Sequence, residues 1–212
     1  MKGILFKPDM IQAIIEGRKT QTRRVIKPQP HSLCWADGMA DSIRGVKIIG
    51  DTGYYDYSLG FPKRVKPRYQ VGETVYIKEA WATYRANDDL TISQLPETAT
   101  IFYTGEIGEY EYIGKCRSPM MMREIFACYF IVITDVRAER LQEISYGNVK
   151  AEGIIAVNDG SLRGAIDIAE RAFKDFKELW NSINKDYPWE SNPWVWVYIF
   201  EWYRSVLGHD II

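Results

Sequence analysis

The densest run of chemically useful side chains is Gly17-Arg18-Lys19-Thr20-Gln21-Thr22-Arg23-Arg24, four cations and two hydroxyls directly after a glycine. Cations this close repel one another. They call for acids from elsewhere in the chain, or for a bound anion such as phosphate. The alternative is a solvated edge strand laced with salt bridges. A second basic run follows at Lys63-Arg64-Val65-Lys66-Pro67-Arg68. Other chemistries find less material. His31-x-x-Cys34 is half of a metal site with no second pair, so no metal and no cofactor is expected. His209 near the C-terminus is poorly placed for a Ser-His-Asp triad. No GxxxxGK[ST] or GxGxxG phosphate loop occurs.

These residues need a scaffold. Residues 3–6 read as a short strand, and Pro8 suits a first helical turn. Met10, Ile11, Ile14 and Ile15 form a helical stripe that Gly17 is placed to end. Residues 18–26 read as a strand that opens on cations and stops at Pro28 and Pro30. Residues 31–69 look inserted, with Gly50-Asp51-Thr52-Gly53 a turn between two strands. Val71-Gly72-Glu73 is a tight turn into a strand over 74–81. Residues 86–111 carry six acids and no base, and predict an exposed excursion around a strand at 100–103. The apolar run over 125–136 suits a strand buried on both faces. Ser145 is placed to cap a short helix ending near Gly153. Ile168, Ala172, Phe176 and Trp180 mark a helix over 161–183. The strand over 194–203 alternates Trp194, Trp196, Tyr198, Phe200 and Trp202 with Val195, Val197 and Ile199. Its aromatics suggest a stacking platform, but two apolar faces read as core. The pattern is α+β, around a small curved or closed sheet.

Composition narrows the partner. The 212 residues carry a net charge of −1, which by itself argues against a polyanion. The charge is uneven, however: residues 1–68 balance at +7 and residues 69–212 at −8. A neutral total therefore conceals a basic face. The longest apolar run, 125–133, is too short for a membrane helix. No signal peptide is visible. Three cysteines without a CxxC suit a reducing compartment, so a cytoplasmic protein with no membrane partner is expected.

Three stretches together resemble the ASCH family of PUA-like β-barrel domains. They are GRKTQTRR at 17–24, YQVGETVYIKEAW at 69–81, and VITDVRAERLQEIS at 132–145 with AEGI at 151–154. FKELWNSIN at 176–184 and NPWVWVYIFEW at 192–202 resemble a longer variant from phage and prophage genomes. The resemblance implies one PUA-like domain over 1–212, a small β-barrel with flanking helices and insertions at about 31–68 and 86–118. It implies a cleft for RNA, single-stranded nucleic acid or a modified nucleoside, in the cytoplasm of a bacterium or a phage-infected host.

Some compact ASCH members are amidohydrolases that deacylate N4-acylated cytosine nucleosides with a Lys, a Thr and a Glu. Lys19, Thr22 and Glu152 match these, and Arg24 matches the family's motif-ending arginine. The chemistry is coherent. A Thr hydroxyl needs an adjacent base. Lys19 can serve if its neighbours Arg18, Arg23 and Arg24 depress its pKa. Glu152 could pass the proton to the leaving amine, and Arg24 could hold an oxyanion or a phosphate. Lys19 and Thr22 fall on opposite faces of a straight strand. They converge only if Lys19 belongs to the turn after Gly17, or if a bulge intervenes. Glu79 reads as a structural partner of an early arginine, and Trp81 either stacks on a base or is core. In the binding reading, Arg18, Arg23, Arg24, Arg64, Lys66 and Arg68 contact phosphate. Ribonuclease activity is a weaker variant, and a phage accessory role with the barrel as scaffold is a third option.

Overall fold

The structure, a computed structural model, describes residues 1–30, 33–37, 41–43, 46–48, 52–56, 63–103, 110–155 and 162–205. His31, His209 and Gly50-Asp51 of the expected turn lie outside them. The chain is a mixed α+β protein. In order it forms β1 (Lys2–Leu5), α1 (Pro8–Ile15), β2 (Gln21–Val25), β3 (Leu33–Asp37), β4 (Asp41–Ile43), β5 (Val46–Ile48), β6 (Thr52–Asp56), β7 (Lys63–Val65), β8 (Thr74–Lys78), β9 (Trp81–Ala82), β10 (Phe102–Tyr103), β11 (Tyr129–Arg140), α2 (Tyr146–Ala151), α3 (Leu162–Ile183) and β12 (Trp194–Arg204). Two compact units result. The first takes residues 1–20, 71–134 and 200–212, and the second takes 21–70 and 135–199.

In the first unit β1 lies parallel to β8, with Lys2 opposite Val75 and Leu5 opposite Lys78. On its other edge β8 pairs antiparallel with β11, Tyr76 facing Phe130. Helix α1 follows β1 with Pro8 in its first turn and buries Ile11, Ala13 and Ile14. Gly17 ends it at φ 72°, a left-handed position that costs glycine least. The N–H groups of Arg18 and Lys19 still donate to the Ala13 carbonyl, so Lys19 belongs to the terminating turn. Gly72, at φ 81°, makes the tight turn before β8, and its N–H donates to the Ile133 carbonyl.

The acidic stretch 86–111 is not merely an exposed excursion. Its Leu95, Ala99 and Ile101 are buried with Trp81, Met122 and Phe126 in one cluster. Asp89, Glu97 and Glu111 are exposed while these apolar residues enter a core, so the composition masks the burial. Arg117 closes this layer. Its Nη atoms donate to the carbonyls of Leu90 and Asn87, and its guanidinium lies 5.6 Å from the Trp81 ring.

In the second unit β2 pairs antiparallel with β12, placing Thr22 opposite Tyr198, Arg23 opposite Val197 and Arg24 opposite Trp196. One face of β12, Val195 and Val197, packs with Ala172, Phe176 and Trp180 of α3. Short helix α2 is capped by Ser145, whose Oγ accepts the Asn148 N–H. The segment 31–69 supplies a three-stranded sheet ordered β3-β6-β7 and the β4-β5 pair. Tyr54 of β6 docks that sheet: its hydroxyl accepts the Ala138 N–H at 3.0 Å, and its ring meets Trp196 edge-on at 5.2 Å.

No closed barrel forms among the described residues. Closure needs each strand paired on both edges, and the strand order of these sheets is open-ended. No helix among them is long and apolar enough to cross a membrane. Trp81→Ala should cost about 3–5 kcal/mol of stability, read as a lower denaturant midpoint, because a fully enclosed indole is removed.

Candidate functional site

The second unit gathers Thr22, Arg23, Arg24, Arg68 and Glu152. Strand periodicity divides the motif. Thr22 and Arg24 share the face of Tyr198 and Trp196, while Arg23 points to the opposite face. That separation gives the two arginines different work.

Arg23 is buried and held by two carboxylates. Its Nη1 donates to Glu152 Oε1 at 2.9 Å. Its Nε and Nη2 donate to Glu139 Oε1 at 3.0 and 2.5 Å. Glu139 in turn accepts from Arg137 Nε at 3.3 Å. The proposed phosphate contact at Arg23 is therefore replaced by internal ion pairing. A buried guanidinium needs fixed acceptors to offset its lost hydration. Glu139 is the residue that sequence reasoning missed. Its signal was the surplus of cations in 18–24, which required an acid from elsewhere.

Glu152 sits at the C-cap of α2, just before Gly153 at φ 92°. A carboxylate at a helix C-terminus is unfavourable by itself, and Arg23 compensates it. Gln21 adds a second tie, its Nε2 donating to the Asn148 carbonyl at 2.6 Å. Together these bonds fix α2 against β2.

Arg24 is half-buried. Its Nη1 donates to Thr22 Oγ1 at 2.8 Å and to the Arg23 carbonyl at 3.1 Å. Burial pushes the Arg24 guanidinium below its ordinary pKa, while the nearby Glu152, Tyr69 and Tyr198 act to raise it. Tyr198 is enclosed against Tyr69, ring centroids 5.2 Å apart, and its hydroxyl accepts the Arg68 N–H at 3.1 Å. Burial pushes the Tyr198 phenol up to about 12, against backbone N–H groups of Arg68 and Tyr69 that favour ionisation. The Arg68 side chain is exposed and lies 5.6 Å from the Tyr69 ring. Arg64 and Lys66 are exposed as well. The group thus combines a poorly hydrated guanidinium, a buried hydroxyl and a buried carboxylate with the exposed Arg68.

The remaining candidates belong to the first unit. Lys19 is buried, with Nζ 5.8 Å from the centre of the Phe6 ring. Glu16 accepts from Gln12 Nε2 at 2.8 Å and from Arg18 Nε at 2.6 Å, and these bonds, Gln12's first, pull its carboxyl down. Trp81 is fully buried, 5.3 Å from Phe126, and its indole N–H donates to the Ser118 carbonyl. Its ring faces are used by the core, so the base-stacking role falls away. Glu79 is buried on the same unit, close enough for its charge to bear on Cys128 and Tyr129. Among the described residues no group of His, Cys, Asp or Glu is placed to hold a metal ion.

No family model matches the chain. No curated protein matches it either. Among solved structures, protein EF3133 from Enterococcus faecalis V583, described with the family model DUF984, aligns over 100% of this chain and 86% of its own. The identity is 10% and the TM-score 0.43.

Two outcomes follow from this geometry. Arg23→Ala should destabilise the protein by about 3–5 kcal/mol in denaturant titration, because the buried Glu152 and the partly buried Glu139 lose the cation they share. Tyr198 should make stability fall between pH 10 and pH 12, since the unfolded phenol ionises first and the folded one resists. Tyr198→Phe should remove that part of the fall and leave stability below pH 10 without this pH dependence.

Proposed function

We propose that the chain is an ASCH-like, PUA-like domain that binds a nucleobase of RNA or single-stranded nucleic acid at the Thr22, Arg24 and Glu152 group. The sheet is read as an open counterpart of the PUA-like barrel. The observation that carries the reading is the half-buried Arg24, whose Nη1 donates to Thr22 Oγ1 on the strand face shared with Tyr198 and Trp196 and which feels the charge of the Glu152 carboxylate. A guanidinium donor next to a carboxylate acceptor complements an acceptor-and-donor base edge such as that of cytosine. Exposed Arg64, Lys66 and Arg68 suit the flanking phosphates. Arg23 is left out of the contact surface because its charge is already taken by Glu139 and Glu152.

A second reading, hydrolysis of an N4-acylated cytosine nucleoside, is favoured by one contact. Arg24 donates to Thr22 Oγ1, and a cationic donor on a hydroxyl oxygen stabilises its deprotonated, nucleophilic form. Glu152 would pass the proton to the leaving amine.

Filter binding over a salt series tests the first reading. A short RNA or single-stranded DNA should bind with affinity falling linearly in log salt. Replacing Arg64, Lys66 and Arg68 together with Gln should reduce the slope by about 2, at about 0.7 per phosphate contact. Arg24→Ala should weaken binding about tenfold with a smaller change in slope. Absence of salt-sensitive binding refutes the reading. For the hydrolytic alternative, N4-acetylcytidine should yield cytidine with the wild type and none with Thr22→Ala, read by chromatography.

A further inference from the structure

We propose that an exposed tyrosine cluster in the first unit is a docking surface for a lysine- and arginine-rich peptide segment of a partner protein. The cluster joins Tyr84, Phe102, Tyr110 and Tyr112. Tyr110 and Tyr112 stack with centroids 5.2 Å apart and planes 11° apart. Tyr84 meets Phe102 edge-on at 5.2 Å, and both lie 6.0 Å from Tyr112. Despite these contacts Tyr84, Tyr110 and Tyr112 stay 44%, 49% and 52% exposed. Tyrosines held this way offer rigid, amphipathic contact area at low entropic cost.

The backbone beneath them is fixed in advance. Tyr84 and Ile113 form an antiparallel bridge. The Arg85 N–H donates to the Tyr112 carbonyl at 2.8 Å, and the Gly114 N–H to the Thr83 carbonyl at 2.8 Å. Asp88 accepts the Lys115 N–H at 2.9 Å. A side chain at Gly114 is excluded, since its Cβ would fall 2.2 Å from Asp88 Oδ1 and 3.0 Å from Arg85 Cα. The platform therefore exists before a partner arrives.

Charge decides the chemistry of that partner. Among the described residues of 84–115, Asp88, Asp89, Glu97 and Glu111 outnumber Arg85 and Lys115, a balance of −2. Single strands of nucleic acid also stack on aromatics, but they need a cationic track for their phosphates. This segment has the opposite sign. A lysine or arginine fits both features, its stem covering a ring and its charge meeting the ring face and the flanking carboxylates. The inference is independent of the nucleobase reading, which rests on residues of the second unit.

Fluorescence anisotropy on the full chain tests it, using a labelled Arg-Gly repeat peptide. The peptide should bind, and a Glu-Gly peptide of equal length should not. Oligothymidylate should fail to displace it. Tyr84→Ala with Tyr112→Ala should weaken binding by about tenfold or more. Asp89→Asn with Glu111→Gln should weaken it about threefold and flatten its salt dependence. Tyr112→Phe should retain most of the affinity. Thermal melting checks that each variant folds, and if the alanine pair does not, the charge pair and the competition decide. No binding by the wild type, equal binding of the Glu-Gly peptide, or displacement by oligothymidylate overturns the proposal. So does self-association without peptide that the tyrosine variant abolishes, which would assign the face to a second copy.

Discussion

The second unit depends on one ion-pair arrangement, the Arg23 guanidinium held between Glu139 and Glu152. Three segments far apart in sequence, β2, the end of β11 and the cap of α2, meet at this cation. A buried ion pair contributes little net stability against an apolar replacement, yet it tolerates no loss of one member. Its geometric demand is strict, because each guanidinium edge needs an acceptor in its own plane. It thereby fixes where α2 ends, and so where Glu152 stands relative to Thr22 and Arg24. The same pairing buries Arg23, while Arg24 on the other strand face is left half-buried.

Strand β12 works through its two faces. Val195 and Val197 pack under α3, while Trp196 and Tyr198 turn to Tyr54 and Tyr69. The inserted segment 31–69 is thus integral to the second unit. It covers an aromatic face that would otherwise meet water, and it delivers Arg68 and Tyr69 beside Tyr198. A low-polarity surround follows from that cover. It pushes the Tyr198 phenol up and depresses the Arg24 guanidinium, both by desolvation.

Much of the local structure was legible. Pro8 and Gly17 bounded α1, Ser145 and Gly153 bounded α2, and the stripe through Ile168, Ala172, Phe176 and Trp180 marked α3. Each of these signals acts over a few residues, through a fixed φ, a capping bond or a helical period. The stretch 86–111 was less legible. Its acids suggested exposure, but Leu95, Ala99 and Ile101 bury while Asp89, Glu97 and Glu111 stay exposed. Composition averages over both sides of a segment and cannot separate them. Trp81 shows the same limit, since an indole on a strand suits a base or a core equally until its neighbours are known.

The sequence by itself determined that residues 18–24 hold more positive charge than a packed chain can leave uncompensated, and that Lys19 and Thr22 fall on opposite faces of a straight strand. Both follow from local rules, Coulomb repulsion and the two-residue period of a strand. Only the tertiary structure decided which cation is neutralised inside and which is left half-buried. That choice depends on Glu139 and Glu152, more than a hundred residues away along the chain. No local pattern encodes such a partner, because it is selected by how β11 and α2 pack on β2.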